Sequence, residues 1–242
     1  MKRSVTTFLL IAAGLVSAGS LSSCMLHCVH GSGHQATENR KVTQDFTKLE
    51  ISGGFKVILK QDSSGTINLT ADDNILKYIK TKNEDGTLHV FTHQNICDVG
   101  DMTVTIGIKN LDELRASGAT EISADGKLVF KDMAFHISGM SKIDLDLNAA
   151  NVTVESSGTG ELTLRGQATS NHVETSGMIQ LHAFDFVVSD YDISTSGASS
   201  CELNVLHALH VSSSGSSDIK YKGNPTDVSN DKSGASSLEK VQ

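Results

Sequence analysis

The sequence predicts an all-β protein built as a parallel β-solenoid, with one coil for about every 19–20 residues. Three observations predict this fold: a dipeptide repeat, apolar residues that keep step with it, and a composition with one Pro and no Trp. The dipeptide Ser-Gly occurs seven times, with its glycines 18 to 21 residues apart. The pairs are Ser117-Gly118, Ser138-Gly139, Ser157-Gly158, Ser176-Gly177, Ser196-Gly197, Ser214-Gly215 and Ser233-Gly234. We predict a corner of the solenoid at each pair, where Gly accepts backbone angles that residues with a Cβ resist.

Apolar residues keep a fixed distance from each of these glycines. Of the fourteen positions four residues before or four residues after a glycine, thirteen are apolar. Within a unit they alternate with polar residues, as in Glu161-Leu162-Thr163-Leu164, which is the periodicity of a strand with one buried face. A unit of about 19 residues has no room for a helix beside two strands and their turns. With coils about 4.8 Å apart, seven coils would form a rod of roughly 34 Å.

Residues 1–23 are predicted to be a lipoprotein signal peptide. Met1-Lys2-Arg3 is a basic start, and residues 8–16 form an apolar stretch that is too short to cross a bilayer. Leu21-Ser22-Ser23-Cys24 matches the lipobox of bacterial lipoproteins, which implies cleavage before Cys24 and diacylation of that residue. Two acyl chains suffice for stable anchoring in a membrane. The alternative is an ordinary secretory signal in which Cys24 has no role.

The charge and the residue after Cys24 bear on location and partners. Met25 stands where an Asp would retain a lipoprotein at the inner membrane, so we expect the outer membrane and leave the leaflet open. Loss of Lys2 and Arg3 with the signal peptide changes the formal net charge from −8 to −10. A chain this acidic has no general electrostatic attraction for nucleic acid, which we exclude as a partner.

Residues 24–44 are predicted to be a flexible tether that starts at the lipidated Cys24. The segment is polar and contains Cys28 with His27, His30 and His34, so a metal site is an alternative. The spacing of these residues is loose, and we predict no metal and no cofactor. Besides Cys24 the chain holds three further cysteines, an odd set from which no disulfide framework follows.

Residues 45–242 are predicted to form a single β-helix domain with two parts. Residues 45–110 lack the Ser-Gly register but are rich in strand patterns, and we expect them to form a less regular opening section. A short helical turn is predicted over residues 74–79, with Asp72 and Asp73 capping its free N–H groups. Residues 111–242 carry the Ser-Gly repeats and end in a unit with polar substitutions at Asn230 and Lys240, which predicts a terminal cap.

Two stretches carry a resemblance to a known family. They are Leu49-Glu50-Ile51-Ser52-Gly53-Gly54-Phe55 and Leu111-Asp112-Glu113-Leu114-Arg115-Ala116-Ser117-Gly118-Ala119, followed by the serial Ser-Gly units. Over about residues 42–240 the chain resembles the putative auto-transporter adhesin, head GIN domain family. The resemblance implies a right-handed parallel β-helix and an envelope lipoprotein, and it supplies no catalytic motif. It implies an adhesin-like role.

We therefore expect a non-catalytic binding role through the faces of the β-helix, with no catalytic residues. The expected partners are the membrane through the lipid anchor and a glycan or envelope protein, and self-association into a homo-oligomer is a comparable expectation. Cys201 falls where other units have Ile or Leu, so we expect a buried, inert thiol. Four histidines could contribute to a ligand surface; they are His172, His182, His207 and His210.

The alternative from another class is a glycan-active enzyme, a polysaccharide lyase or hydrolase on a β-helix. Such an enzyme needs paired carboxylates, or a basic residue with acidic metal ligands. The acidic pairs in the sequence are Asp72-Asp73, Asp112-Glu113 and Asp144 with Asp146, and we expect the last two to face solvent. Two or three carboxylates with a Lys or Arg in one groove would favour the enzyme. A Ser-His-Asp hydrolase is disfavoured, because no Gly-x-Ser-x-Gly elbow lies between a strand and a helix.

Overall fold

The structure, a computed structural model, describes residues 28–242 and is all-β, with about 70% strand and almost no helix. The predicted signal peptide and Cys24 lie outside the described residues. Within these bounds the one helix is a 3-10 turn at Leu76–Tyr78, which confirms the short helical turn predicted there. No helix in this part of the chain is long and apolar enough to cross a membrane. The strands are β1 (Val29–His30), β2 (Gln35–Lys41), β3 (Lys48–Ser52), β4 (Lys56–Gln61), β5 (Thr66–Asp72), β6 (Ile79–Glu84), β7 (Thr87–Thr92), β8 (Ile96–Cys97), β9 (Thr103–Ile108), β10 (Glu113–Ala124), β11 (Leu128–Val129), β12 (Asp132–Ser156), β13 (Thr159–Thr175), β14 (Met178–Thr195), β15 (Ser200–Ser213), β16 (Asp218–Lys222), β17 (Asp227–Lys232) and β18 (Ser237–Lys240).

The regular coils are parallel strands stacked in one sheet. β10, β12, β13, β14 and β15 follow one another in a 16-stranded sheet, each paired in parallel with the next. Ser117 lies opposite Ser138, and Gly118 opposite Gly139, so strand pairing preserves the register of the repeat. The stack forms a β-solenoid of about 7 turns. The predicted all-β parallel solenoid is confirmed.

The first part of the domain, in contrast, mixes parallel and antiparallel pairing. β3 and β4 are parallel to β10 and start the solenoid, whereas β2 with β5, β5 with β9 and β6 with β7 are antiparallel. The strands that are paired antiparallel close the open end of the first coil. Without a neighbour, β3 and β4 would expose a row of unpaired backbone groups. β7 pairs with β3 and β9 with β4, and these pairings cover the exposed edge.

A column of apolar side chains inside the solenoid explains the constant spacing of the repeat. Residues four positions after each glycine pair with one another from coil to coil. The column consists of Ile122, Ile143, Leu162, Leu181, Cys201, Ile219 and Leu238. All are buried except Leu238 in the last coil, which is half-buried. The predicted burial of Cys201 is confirmed, and burial raises the pKa of its thiol to about 12, so the thiol remains protonated.

The glycines of the Ser-Gly pairs form a second column, in which the backbones of successive coils touch. A Cβ added to any of the seven would lie under 3.0 Å from a backbone atom of the preceding coil; at Gly197 it would lie 1.9 Å from the carbonyl oxygen of Gly177. Gly53 begins the column, 2.9 Å from a Cβ placed on Gly118. Only three of the seven glycines have φ in the left-handed region. We expected backbone angles to select glycine, but the requirement that all seven share is this close approach.

The predicted flexible tether over residues 24–44 is wrong for the part that the structure describes. β1 is paired with β8, and Cys28 forms a disulfide with Cys97. β2 is paired with β5 along its whole length, and Arg40 donates to the backbone oxygen of Ile79 at 2.9 Å. β2 is not recognisable in the sequence, because most of its side chains are exposed at the outside of the sheet. Its residues therefore do not alternate between apolar and polar types. The odd cysteine count likewise concealed a pair that is 69 residues apart.

The last coil carries the polar cap that the sequence predicts. Every residue of β17 is exposed, including Asn230, and Lys240 at the end of β18 is exposed as well. The equivalent positions in the preceding coils hold apolar residues that are buried or half-buried. Charged and polar side chains at the end of a solenoid disfavour stacking of another chain on the unpaired strands.

Candidate functional site

The Ser-Gly pairs form one edge of the solenoid, and the surface on either side of this edge is concave. The serines occupy equivalent positions in successive coils, and all but the half-buried Ser117 are exposed. Two of the hydroxyls bond to the backbone of the preceding coil: Ser117 Oγ to the oxygen of Ile51 at 3.3 Å, and Ser196 Oγ to the oxygen of Thr175 at 3.3 Å. This bonding is the structural role expected for a serine at a turn.

A groove of about 680 Å³ follows the strands that precede the serines. We call it the glutamate groove. It is lined by charged side chains that different coils bring into one row; they are Glu50, Arg115, His136, Glu155 and Glu174. Glu50 is paired with Arg115 and Arg115 with His136, whereas Glu155 is paired with Glu174. Because the coils stack in register, residues far apart in the sequence become neighbours about 4.8 Å apart.

Glu113 anchors the positive charges at one end of this groove. It is buried and forms ion pairs with Lys48 at 3.2 Å and with Arg115, and one of its carboxylate oxygens lies 3.6 Å from Nε2 of His136. Burial raises the pKa of Glu113, but the nearby Lys48 and Arg115 lower it by more, so its pKa lies below the usual value. Glu113 is therefore ionised near neutral pH, and it holds Arg115 and His136 along the groove.

The other end of the groove has negative charge without a cation. Glu155 pairs with His136 at 2.9 Å, but across residues 28–242 no Lys, Arg or His nitrogen lies within 4.0 Å of the carboxylate of Glu174. Like charges on adjacent strands repel each other. A ligand that donates hydrogen bonds or carries positive charge would relieve this repulsion, and Glu174 is free to accept from it.

Two or three carboxylates with a Lys or Arg in one groove is the arrangement that would favour the enzyme alternative, and the glutamate groove has this arrangement. Glu50, Glu155 and Glu174 share the groove with Arg115. Arg115, however, is held by Glu113, as a structural ion pair would hold it. Sequence reasoning missed His136, Glu155 and Glu174, although a signal existed. All stand three residues before a Ser-Gly glycine, in a column that reads Arg115, His136, Glu155, Glu174, Ser194, Ser212 and Asp231.

Of the acidic pairs that the sequence singled out, Asp112-Glu113 contributes Glu113 to one end of the glutamate groove, and the other two pairs lie elsewhere. Asp144 and Asp146 face outward, as predicted, and pair with Arg165 and Lys127. The expected capping by Asp72 and Asp73 is wrong, because the 3-10 turn has no side-chain cap. Both instead bind the N-terminal segment: Asp72 accepts from the N–H of Gly33 at 3.0 Å, and Asp73 from the hydroxyl of Ser32 at 2.6 Å. These carboxylates accept hydrogen bonds from Ser32 and Gly33, which the sequence predicts to be part of a flexible tether.

The histidines are dispersed in pairs with carboxylates of neighbouring coils. His172 pairs with Asp192 at 3.2 Å and His182 with Glu202 at 2.8 Å, and the remaining two pairs are His207 with Asp190 at 2.8 Å and His210 with Asp227 at 3.9 Å. His172 and His210 stand on either side of Asp192 in one column, whereas His182 lies in another column. In the proposed metal segment, the sulfur of Cys28 is in a disulfide and His30 pairs with Asp98. Among residues 28–242, no three His, Cys, Asp or Glu residues are grouped to hold a metal.

A second groove, of about 610 Å³, lies on the other side of the Ser-Gly edge. We call it the methionine groove. Met140 lines this groove, and Met178 stands beyond its lining in the same column, with Thr159 between them; the two methionines directly follow the glycines of their coils and are 67% and 55% exposed. The buried side chains of Phe55 and Met102 form part of its lining. Ion pairs stand at its rim: Lys56 with Asp101 at 2.8 Å and Lys142 with Glu161 at 3.1 Å.

The comparisons with known proteins agree with this architecture. Residues 45–225 match the family model described as putative auto-transporter adhesin, head GIN domain. A crystal structure of a putative adhesin from Bacteroides fragilis NCTC 9343 is 21% identical, with a TM-score of 0.81 over 88% of this chain and 100% of that one. A putative lipid binding protein from Parabacteroides distasonis ATCC 8503 is 18% identical, with a TM-score of 0.71 over 89% and 100%.

A third structure, of a putative adhesin from Parabacteroides merdae ATCC 43184, is 21% identical and has a TM-score of 0.66 over 88% of this chain and 99% of that one. At these identities the likeness establishes the fold. None of the curated proteins matches the chain.

Proposed function

This chain belongs to the putative auto-transporter adhesin, head GIN domain family, and on that premise we propose that it is a lipid-anchored protein of the cell envelope. We propose further that it binds an extended glycan through the glutamate groove and catalyses no reaction. The outer membrane is the location that Met25 after Cys24 favours.

The disulfide and the lipobox support export and anchoring. Disulfides form and persist in oxidising compartments and are rare in the cytosol, so the Cys28–Cys97 bond is consistent with a protein that has left the cytoplasm. Cys24 closes a lipobox at the expected distance from the apolar stretch. Two similar structures are described as adhesins and one as a lipid binding protein, and both descriptions refer to binding rather than catalysis.

The anchor is tested by replacing Cys24 with Ala. We expect the Cys24→Ala variant to lose incorporation of labelled palmitate and to move from the membrane fraction to the soluble fraction, because no acyl chain then holds it. Ser23→Ala is the matched control, since it retains a small residue before Cys24 and should stay in the membrane fraction. Recovery of Cys24→Ala with the membrane in the same amount as the wild type would contradict the lipid anchor.

The observation that supports glycan binding is the stacked pair of Glu155 and Glu174, whose second carboxylate has no cation within 4.0 Å among residues 28–242. Carboxylates accept hydrogen bonds from sugar hydroxyls and from the ammonium of amino sugars, and a groove across several coils suits an extended chain. With no Trp and three Tyr, the protein has little to stack on sugar rings, so we expect recognition to be mainly polar.

The Glu155→Gln/Glu174→Gln double variant tests this site on an array of soluble glycans and polysaccharides. We expect binding to weaken about tenfold or more, because a hydrogen bond to a charged group contributes roughly 1.5–3 kcal/mol. Glu239→Gln, at an exposed position in the last coil, is the control and should bind as the wild type does. Equal binding by all three proteins would show that the groove is not the site.

The second candidate function is a glycan-active enzyme, which the presence of Glu50, Glu155 and Glu174 with Arg115 in one groove favours. Such an activity would release reducing ends or unsaturated products from a polysaccharide that the array identifies. Cleavage by the wild type that is lost in the double variant would replace the binding proposal with this one.

A further inference from the structure

We propose that the methionine groove faces the membrane that holds Cys24, so that Met140 and Met178 contact the bilayer surface while the glutamate groove remains open to a ligand. This inference rests on the lipid anchor proposed above and adds to it the face by which the folded domain docks. The partner is the lipid bilayer itself.

The first step is the length of chain between the anchor and the folded domain. Cys24 is four residues before Cys28, and four residues span at most about 14 Å. Cys28 is fixed to Cys97 by the disulfide, and the pairing of β1 with β8 continues from it. A flexible tether up to residue 44 would have reached about 70 Å. The disulfide therefore keeps the part of the domain around Cys28 and Cys97 within about 14 Å of the anchored residue.

The second step is the position of the attachment. Val99, Gly100, Asp101 and Met102 come immediately after Cys97 in the chain and line one end of the methionine groove. The N-terminal segment packs on the same residues, since the Gln35 amide donates to the backbone oxygen of Asp101 at 3.3 Å. The point at which the anchor joins the domain and the end of the groove are thus the same place.

The third step is the chemistry of the exposed side chains. In the described part of the chain five large hydrophobic residues are exposed, and only Met140 and Met178 share one column. Val129 and Leu206 lie at the opposite corner of the coil, where Val129 is paired with Asn148. Methionine is flexible and polarizable, which suits a fluid partner. The net charge of −10 for the chain after cleavage provides no electrostatic attraction, so docking requires this apolar contact and the covalent anchor.

The absence of Trp from the sequence allows a direct test. Single-Trp variants Met140→Trp and Met178→Trp are prepared as acylated full-length protein and inserted into phosphatidylcholine vesicles whose acyl chains carry bromine, which quenches Trp on contact. Leu206→Trp is the matched control, because Leu206 and Met178 are both 55% exposed. We expect the two methionine variants to be quenched at least about twofold more than the control, with emission shifted to shorter wavelength as Trp leaves water.

Each outcome separates this inference from the anchor on which it rests. Equal quenching at all three positions in protein that remains acylated and bound to vesicles would overturn the docking face and leave the anchor intact. Failure of the wild type to incorporate an acyl chain at Cys24 would overturn both. Stronger quenching at Leu206→Trp would assign the opposite corner to the membrane and would also refute the inference.

Discussion

Replacing Gly197 by Ala is expected to lower the free energy of unfolding by about 3 kcal/mol or more. The new Cβ would lie 1.9 Å from the carbonyl oxygen of Gly177 and 2.9 Å from its carbonyl carbon. Both atoms belong to the backbone of the coil below, which is held by parallel pairing on both sides of the corner. The φ angle of Gly197 is outside the left-handed region, so Ala could adopt it. The expected loss of stability therefore comes from the overlap of the new Cβ with the backbone of Gly177.

Urea-induced unfolding followed by far-ultraviolet circular dichroism measures the effect. Gly54→Ala is the control, because it also lies at the Ser-Gly edge but its nearest heavy atom, the carbonyl oxygen of Ala119, would be 3.8 Å from the added Cβ. We expect this control to stay within about 0.5 kcal/mol of the wild type. If the two variants unfolded at the same urea concentration, close approach of the coils would not be what requires glycine in the column.

The repeat was predictable because one physical requirement recurs in every coil. A glycine where backbones touch and a buried or half-buried apolar residue four positions later recur in each unit, as Gly158 and Leu162 do. Gly53 stands beneath Gly118 at the start of the column, but the antiparallel opening strands separate the two in the sequence, so the period could not reveal it. Periodicity identifies what repeats and misses a member of the column that is separated by an insertion.

The glutamate groove was less predictable, because its residues share a position and not a type. The column three residues before each glycine contains a basic residue, a histidine and acids, so no pattern of hydropathy marks it. It becomes a site only when stacking places Glu155 beside Glu174. The register is in the sequence, but which exposed columns form a concave surface depends on the three-dimensional shape of the coils.

The N-terminal segment was missed for a third reason, which is that its contacts are made at long range. The side chains of β2 are mostly exposed, and what fixes the strand is backbone pairing with β5 and the hydrogen bonds of Arg40. Neither leaves a local signal. The same is true of the partner of Cys28, which lies 69 residues away.

That long-range bond gives the other large expected effect. Removing it in the Cys28→Ala/Cys97→Ala double variant should lower the free energy of unfolding by about 4 kcal/mol, the loop-closure value for a link across about 70 residues. The disulfide restricts the unfolded chain over the whole opening section, which includes β2 to β7. It also joins β1 to β8, which have no other strand partners in the part of the chain that the structure describes.

Dithiothreitol supplies the internal control for this prediction. In the wild type it should lower the urea midpoint to that of the double variant, and in the double variant it should change nothing, because the remaining described cysteine, Cys201, is a buried thiol. A double variant as stable as the wild type would mean that β2 and its pairing with β5 alone hold the segment. In that case the chain could open from Cys28 to Gln35 without loss of stability, and the reach from Cys24 to the domain would grow from about 14 Å to about 38 Å. The contribution of the Cys28–Cys97 disulfide to the stability of the fold therefore determines how far the domain can move from the membrane.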